Sequence, residues 1–275
     1  MKNLALTLIA LTSLGLFAQE EKKNDTTRFK FGSTEFIIIN DDTTMVSKDQ
    51  NGEDEDHKNF GMKHDKDDLT YWGGFDVGVN LMMNESFQNA FDSPHLDMDP
   101  AQSFSFSFNF AETRIRIIKD YFGLVTGLGF THSRFGLNDN MMRLGADSDS
   151  TWGYKDSTLT NGFNKNQLRV NYFNIPLLFQ VNTSKDPDKN FHFAFGAIGG
   201  VRIGSNMKYK YDVLGGQRKD KEKGKFNLNP FHVTGTFRMG YKDFGLFANY
   251  NLMGLFEPGK SEKAYPLTVG ASLHF

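Results

Sequence analysis

From residue 72 onward, apolar residues alternate with small or polar ones in short runs broken by turn-rich stretches. This is the period of a β-strand, whose successive side chains point to opposite faces. The clearest run is 103–110, where Phe fills every second position. Eight such runs can be counted, at 72–82, 103–117, 122–135, 167–182, 191–205, 231–240, 244–253 and 265–275. Two of them change parity. In the second, the apolar set moves from Phe110 to Ile115 and Ile117, which predicts a bulge at 111–113. In the fourth, it moves from Leu168, Val170 and Tyr172 to Phe173, Ile175, Leu177 and Phe179, which reads as a second slip.

The connections alternate long and short: 83–102, 119–121, 136–166, 183–190, 206–230, 241–243 and 254–264. Short turns at one end and long loops at the other are the pattern of a transmembrane barrel with an even strand number. A soluble sandwich has no reason to alternate in this way. Each run also matches the roughly 9–11 residues needed to cross a bilayer obliquely. The expected fold is all-β, an eight-stranded up-and-down antiparallel transmembrane β-barrel over 71–275. The last run, with Tyr265, Leu267, Val269, Ala271, Leu273 and Phe275 on one face, is its closing strand, and Phe275 is the expected terminal insertion signal for the barrel-insertion machinery.

Lys2, an apolar run from Leu4 to Phe17 and a small residue at Ala18 describe a secretory signal peptide over 1–18. Residues 19–70 then form an N-terminal periplasmic extension, with a short hairpin at 28–39 turning at Gly32-Ser33 and an acidic linker at 41–70. Both termini are expected in the periplasm. The chain has no cysteine, so neither a disulfide nor a lipid attached at Cys can form. The formal charge of −2 gives no reason to expect nucleic acid. A negative mean hydropathy does not argue against a barrel, because only alternate residues meet lipid. The 28 Phe, 9 Tyr and 27 Gly suit strands, sheet crowding and turns.

Asn171-Tyr-Phe-Asn-Ile-Pro-Leu-Leu-Phe-Gln180 resembles the Tyr-Leu-Glu-Ile-Pro-Leu-Leu segment of the PorT-like outer-membrane β-barrel family of Bacteroidota. The Gly123–Gly129 strand, Gly196-Ala-Ile-Gly-Gly200 and the final Phe275 fit the same family, and Ile175, Pro176, Leu177 and Leu178 carry the likeness. Asn174 stands where the family often has Glu. The resemblance implies the fold, and a possible link to protein secretion, since PorT itself belongs to the type IX secretion apparatus. Pro176 has no N–H for the ladder and should lie at an unpaired position.

Eight strands enclose an interior just wide enough for their own side chains. The alternation directs Asp76, Asn80, Arg114, Arg116, Arg169, His192, Arg202, Thr236, Arg238 and Asn249 inward, where charges must pair. A packed polar plug is the main expectation, and a narrow anion path the alternative raised by the excess of Arg. His132 and Ser133 point to opposite faces and cannot form one catalytic pair. No nucleophile elbow, phosphate loop or zinc-spaced cluster occurs, and the acidic run with His57 and His64 lacks the spacing of a calcium loop. Asp147–Ser150 and Asp186–Asp188 read as loop chemistry. No cofactor, metal or catalytic residue is expected. The function expected is that of a non-enzymatic envelope component in contact with outer-membrane lipid, with 28–39 or the external loops as the surface for a protein partner. Small-solute transport or lipid handling is the alternative.

Overall fold

The computed structural model describes residues 26–31, 34–39, 69–213 and 216–275. The expected signal peptide and nearly all of the acidic linker lie outside the described residues. The chain divides into two units, 1–65 and 66–275. In the first, β1 (Thr26–Phe31) pairs antiparallel with β2 (Thr34–Ile39), with Phe31 opposite Thr34, and the expected turn at Gly32-Ser33 lies outside the described residues.

The second unit is a closed ring of eight antiparallel strands. In chain order they are β3 (Gly74–Met83), β5 (Phe104–Ile118), β6 (Phe122–Leu137), β9 (Lys165–Asn182), β10 (Phe191–Val213), β12 (Phe231–Tyr241), β13 (Phe244–Asn251) and β14 (Tyr265–His274). Each pairs with its sequence neighbours, and β14 closes on β3 in register from Tyr265↔Met83 to His274↔Gly74. Between them lie four short pieces: β4 (Met98–Asp99), β7 (Met142–Ala146), β8 (Thr151–Lys155) and β11 (Gly216–Lys223). All four belong to the long connections. Two of the three short turns tighten at lysines that take left-handed backbone angles, Lys119 (φ 47°) and Lys242 (φ 53°).

The expected bulge in β5 is present. Its register against β6 shifts between Phe110 and Thr113, and Ala111 has φ 51°. The slip expected in β9 is absent. Residues 166 to 182 keep one parity, with Leu168, Val170 and Tyr172 buried inside beside Asn174, Pro176 and Leu178. The parity looked broken because the barrel wall rises beyond the lipid-facing zone, where the inside becomes apolar. The irregularity lies opposite, in β10, between Arg202 and Gly204. Pro176 sits where the β6–β9 ladder has a gap, between the Thr126↔Leu177 and Gly129↔Asn174 pairs. Its missing donor therefore costs no ladder bond.

Outward residues around the whole ring are apolar and uncharged over the middle of the strands, including Val77, Phe106, Ile175, Leu177, Phe237, Leu246 and Val269. Rings collect at the short-turn end, where Phe75 lies 5.2 Å from Phe108 and 5.6 Å from Phe275, and Phe191 packs on Tyr241 at 4.6 Å. At the other end Phe87, Tyr250 and Tyr265 stack in a row. An apolar belt between two aromatic girdles fits a bilayer. Leu177, 55% exposed at the centre of the β9 belt, reports on that solvent. Leu177→Arg is expected to lower folding stability in lipid vesicles by about 2–4 kcal/mol. An Arg introduced at exposed Thr160, in the long connection between β8 and β9, should be neutral within error, and equal effects at the two sites would refute the belt.

Candidate functional site

The lumen is filled in three layers, and the lower two hold most of the polar residues that alternation sends inward. At the short-turn end, residues 69–73 fold into the mouth before β3 begins. The Leu69 carbonyl accepts from Gln180 Nε2 (2.6 Å) and Asn182 Nδ2 (3.2 Å). Tyr71 stacks on His192 with ring centroids 3.6 Å apart, and its hydroxyl accepts from Asn190 Nδ2 (3.0 Å). His274 meets both rings edge-on. Above them Trp72, fully buried, donates from Nε1 to the Leu128 carbonyl (3.0 Å). Gly127 and Gly129 make room for it, since a Cβ at either would stand about 3 Å from the indole (2.7 and 3.1 Å).

Glu112 anchors this plug. It lies in the β5 bulge, and its carboxylate accepts from the backbone N–H of Trp72 (2.8 Å) and Gly73 (2.7 Å) and from the Thr70 hydroxyl (2.7 Å). The bulge therefore aims an acid from the wall at three donors of the entering chain. Sequence reading missed this residue. Its signal was an isolated acid at a parity break, followed in space by the apolar Leu69, Tyr71 and Trp72 just ahead of the first strand.

The central layer is an ion pair. Asp76 and Arg238 are both buried and hydrogen-bonded, and Asn109 Nδ2 also donates to Asp76 (2.9 Å). The Arg238 guanidinium lies over the Trp72 ring (4.9 Å) and near Phe247 (5.4 Å). Above the pair is a polar chamber of about 70 Å³. Asn174 links its walls, accepting at Oδ1 from His232 Nε2 (2.9 Å) and donating from Nδ2 to Thr131 (2.7 Å), which in turn meets Ser107 (2.8 Å).

The third layer is apolar. Leu137, Leu168, Val170, Tyr172, Met207 and Tyr209 from the risen walls pack against Leu96, Leu144, Phe163, Leu228 and Leu255 from the long connections. Arg143 ties this cap together, bridging Asp156 (2.6 Å) and Glu222 (2.8 Å). The long connections are thus a folded lid over the barrel.

Of the residues expected in the inward network, Asp76, Arg114, His192, Arg202 and Arg238 do face inward. They are not one network. Arg114 donates to the Asp120 carbonyl (2.8 Å) at the short-turn end, and Arg202 donates to the Leu228 (3.1 Å) and Asn229 (3.3 Å) carbonyls beneath the lid. Arg116 lies out at the mouth, half exposed, 3.8 Å from Asp120. Arg169 faces outward, because β9 never changes parity. Of the motif residues, Ile175 and Leu177 face outward while Pro176 and Leu178 face inward. Phe275, 59% exposed, joins the outer Phe75–Phe108 cluster. His132 faces outward and bonds Asn171 (2.6 Å), while Ser133 is buried inside. Among the described residues no group of three or more His, Cys, Asp or Glu could hold a metal ion.

The description "outer membrane protein beta-barrel domain" matches residues 67–257, which span β3 to the end of β13. The chain belongs to that family. The match stops short of β14, whose place in the ring rests on its pairing with β13 and β3. No curated protein and no solved structure matches the chain. Family and belt agree on the compartment: this is an outer-membrane barrel with a filled lumen.

Two substitutions test how that lumen is held. Glu112→Ala, which strands the N–H groups of Trp72 and Gly73, is expected to cost on the order of 2–4 kcal/mol in urea unfolding from vesicles. Asp76→Leu alone leaves Arg238 buried and uncompensated and should cost about 3–5 kcal/mol, whereas Asp76→Leu with Arg238→Met should recover most of the loss. If the double variant were as unstable as the single one, the pair would be contributing more than mutual neutralisation.

Proposed function

We propose that this outer-membrane barrel is a non-enzymatic, non-conducting envelope component that works through its surfaces. The observation that carries this reading is the closure of the lumen at both ends, by residues 69–73 below and by the apolar lid above. A solute path would need the Asp76–Arg238 layer and both of these plugs to open together. The lid makes the long-connection end a shaped surface suited to recognition. In this reading that end faces outside the cell and both termini face the periplasm, the usual arrangement for short turns and long loops.

The Ile175-Pro176-Leu177-Leu178 likeness to PorT supports the narrower idea of a role in protein secretion or assembly. The β1–β2 hairpin is the second candidate contact. Two strands alone are barely stable in water, and a hairpin with free edges can extend a partner's sheet.

Three measurements on the full chain test the proposal. Planar-bilayer recordings should show no stepwise conductance, and steps would favour solute passage instead. Because the chain has no cysteine, Ser148→Cys gives a single label site. In intact cells it should react with a membrane-impermeant maleimide, and protection until lysis would reverse the orientation. Crosslinking in intact envelopes should capture a partner that is lost when 26–39 is deleted or the lid is altered, and capture that survives both changes would refute these contact surfaces.

A further inference from the structure

Above the lipid belt, the outer face of β6, β9, β10 and β11 carries cations in rows. Residues directly opposite in a sheet share a face, so the pairing registers define the rows. The first reads Arg134, Arg169, Asn206, Lys223. The second reads Gln167, Lys208, Lys221, and the third Lys165, Lys210, Lys219. These eight cations adjoin one another across three strand pairs. None of them forms an ion pair among the described residues, whose salt bridges all lie elsewhere. The acids of the same face stand at its edges and are engaged locally. Asp99 accepts from Ala101 N and Gln102 Nε2, and Asp212 accepts from Asn164 and Gln217.

Like charges placed directly opposite on a sheet repel. Arg134 against Arg169, Lys208 against Lys221 and Lys210 against both Lys165 and Lys219 are such pairs. A sheet that keeps four of them together gains nothing from its own fold by doing so. The height of the rows supplies a reason. On β6 and β9 the last apolar pair is Phe130↔Phe173, followed by His132↔Asn171 and then Arg134↔Arg169. Two pairs on, four residues along each strand, is a rise of about 13 Å along the strand and less along a tilted barrel's normal. That puts the first row in the headgroup zone, with the second and third about 7 and 13 Å further along the strands. Arg134 and Arg169 are also held rather than waving, Arg134 by His132 Nε2 (3.0 Å) and the Phe104 ring (4.5 Å), Arg169 by Gln167 Oε1 (3.0 Å).

We infer that this face is a docking surface for phosphate-bearing lipid headgroups of the leaflet at the long-connection end. Charge complementarity and continuity with the lipid belt carry the inference. Guanidinium forks grip phosphate oxygens in pairs, and the surrounding lysines add charge without demanding one geometry. The inference rests on the proposed orientation only for which leaflet supplies the lipid in the cell, and a symmetric bilayer removes that dependence.

The test uses the full chain in nanodiscs of phosphatidylcholine containing a minor fraction of a bis-phosphorylated glucosamine lipid, with lipid retention read by native mass spectrometry. The unchanged chain should retain the phosphorylated lipid, and retention should weaken as salt is raised. The Arg134→Gln/Arg169→Gln/Lys208→Gln variant should retain it about a hundred-fold more weakly. Lys185→Gln/Lys189→Gln/Lys242→Gln, which removes the same charge at the short-turn end, should leave retention unchanged. Equal loss in both variants would mean net charge alone acts, and no loss in the first would mean this face does not bind; either overturns the inference. Inorganic phosphate in solution should not compete at millimolar concentration, and full competition would point to a free-anion site instead. Lys208→Gln and Lys221→Gln singly, each with the salt titration, give the same reading if the triple variant does not insert. Maleimide labelling at position 148 fails or succeeds independently of all these outcomes.

Discussion

In hydrocarbon an unpaired backbone amide has no water to turn to, and that constraint organises the molecule. The ladder between β14 and β3 removes the last two edges of the sheet, so every strand of the ring has two neighbours. With eight strands the ring is narrow, and its narrowness governs the whole interior. There is no room for bulk water to solvate inward charges, so Asp76 and Arg238 must neutralise each other. The backbone entering at residue 69 must also find its partners on the wall. The β5 bulge answers the second demand by turning Glu112 toward the N–H groups of Trp72 and Gly73.

The same closure explains why irregularities cluster where they do. The β5 bulge and the glycines at 127 and 129 of β6 surround Trp72, and Pro176 of β9 stands in the ladder gap beside those glycines. Each removes something a regular ladder would put there: a register, a donor or a Cβ. Trp72 Nε1 then takes the Leu128 carbonyl beside them. A wall this tight can admit a large side chain only where several strands give way together.

Much of this was legible from the chain. The eight strands, the alternation of connections, the β5 bulge and the missing partner on the β6 side of Pro176 follow from period and from proline's missing N–H. Phe75 and Val79 could be placed outside because small or polar residues alternate with them. Arg169 could not be placed, because Leu168, Val170 and Tyr172 imitate a change of parity. Arg116 was misjudged for a different reason: its parity is inward, but β5 by then has passed the mouth, where inward no longer means enclosed. The lid was invisible because its apolar residues, such as Leu96, Leu144, Leu228 and Leu255, are scattered through four connections and meet only in space.

The β9 misreading has a physical cause that reaches across the structure. Within the bilayer the solvent outside is lipid, so the wall is apolar outward and polar inward. Above it the solvent outside is water and charged headgroups, so the same wall must invert. Leu168, Val170 and Tyr172 then turn to the lid while Arg169 and Lys165 turn out. Across β9 and β10 this inversion takes place without ending either strand, and the bulge between Arg202 and Gly204 lets β10 follow it. Up to and within that bulge β10 sends Val201 and Ile203 outward, and after it Met207 and Tyr209 inward, all of them odd-numbered and all apolar. A shift of one residue reassigns the odd positions from lipid to lid, so one apolar parity serves both solvents. On β9 no such shift exists, and the composition of each face changes instead. The two strands solve the same boundary by different means, one by geometry and one by sequence.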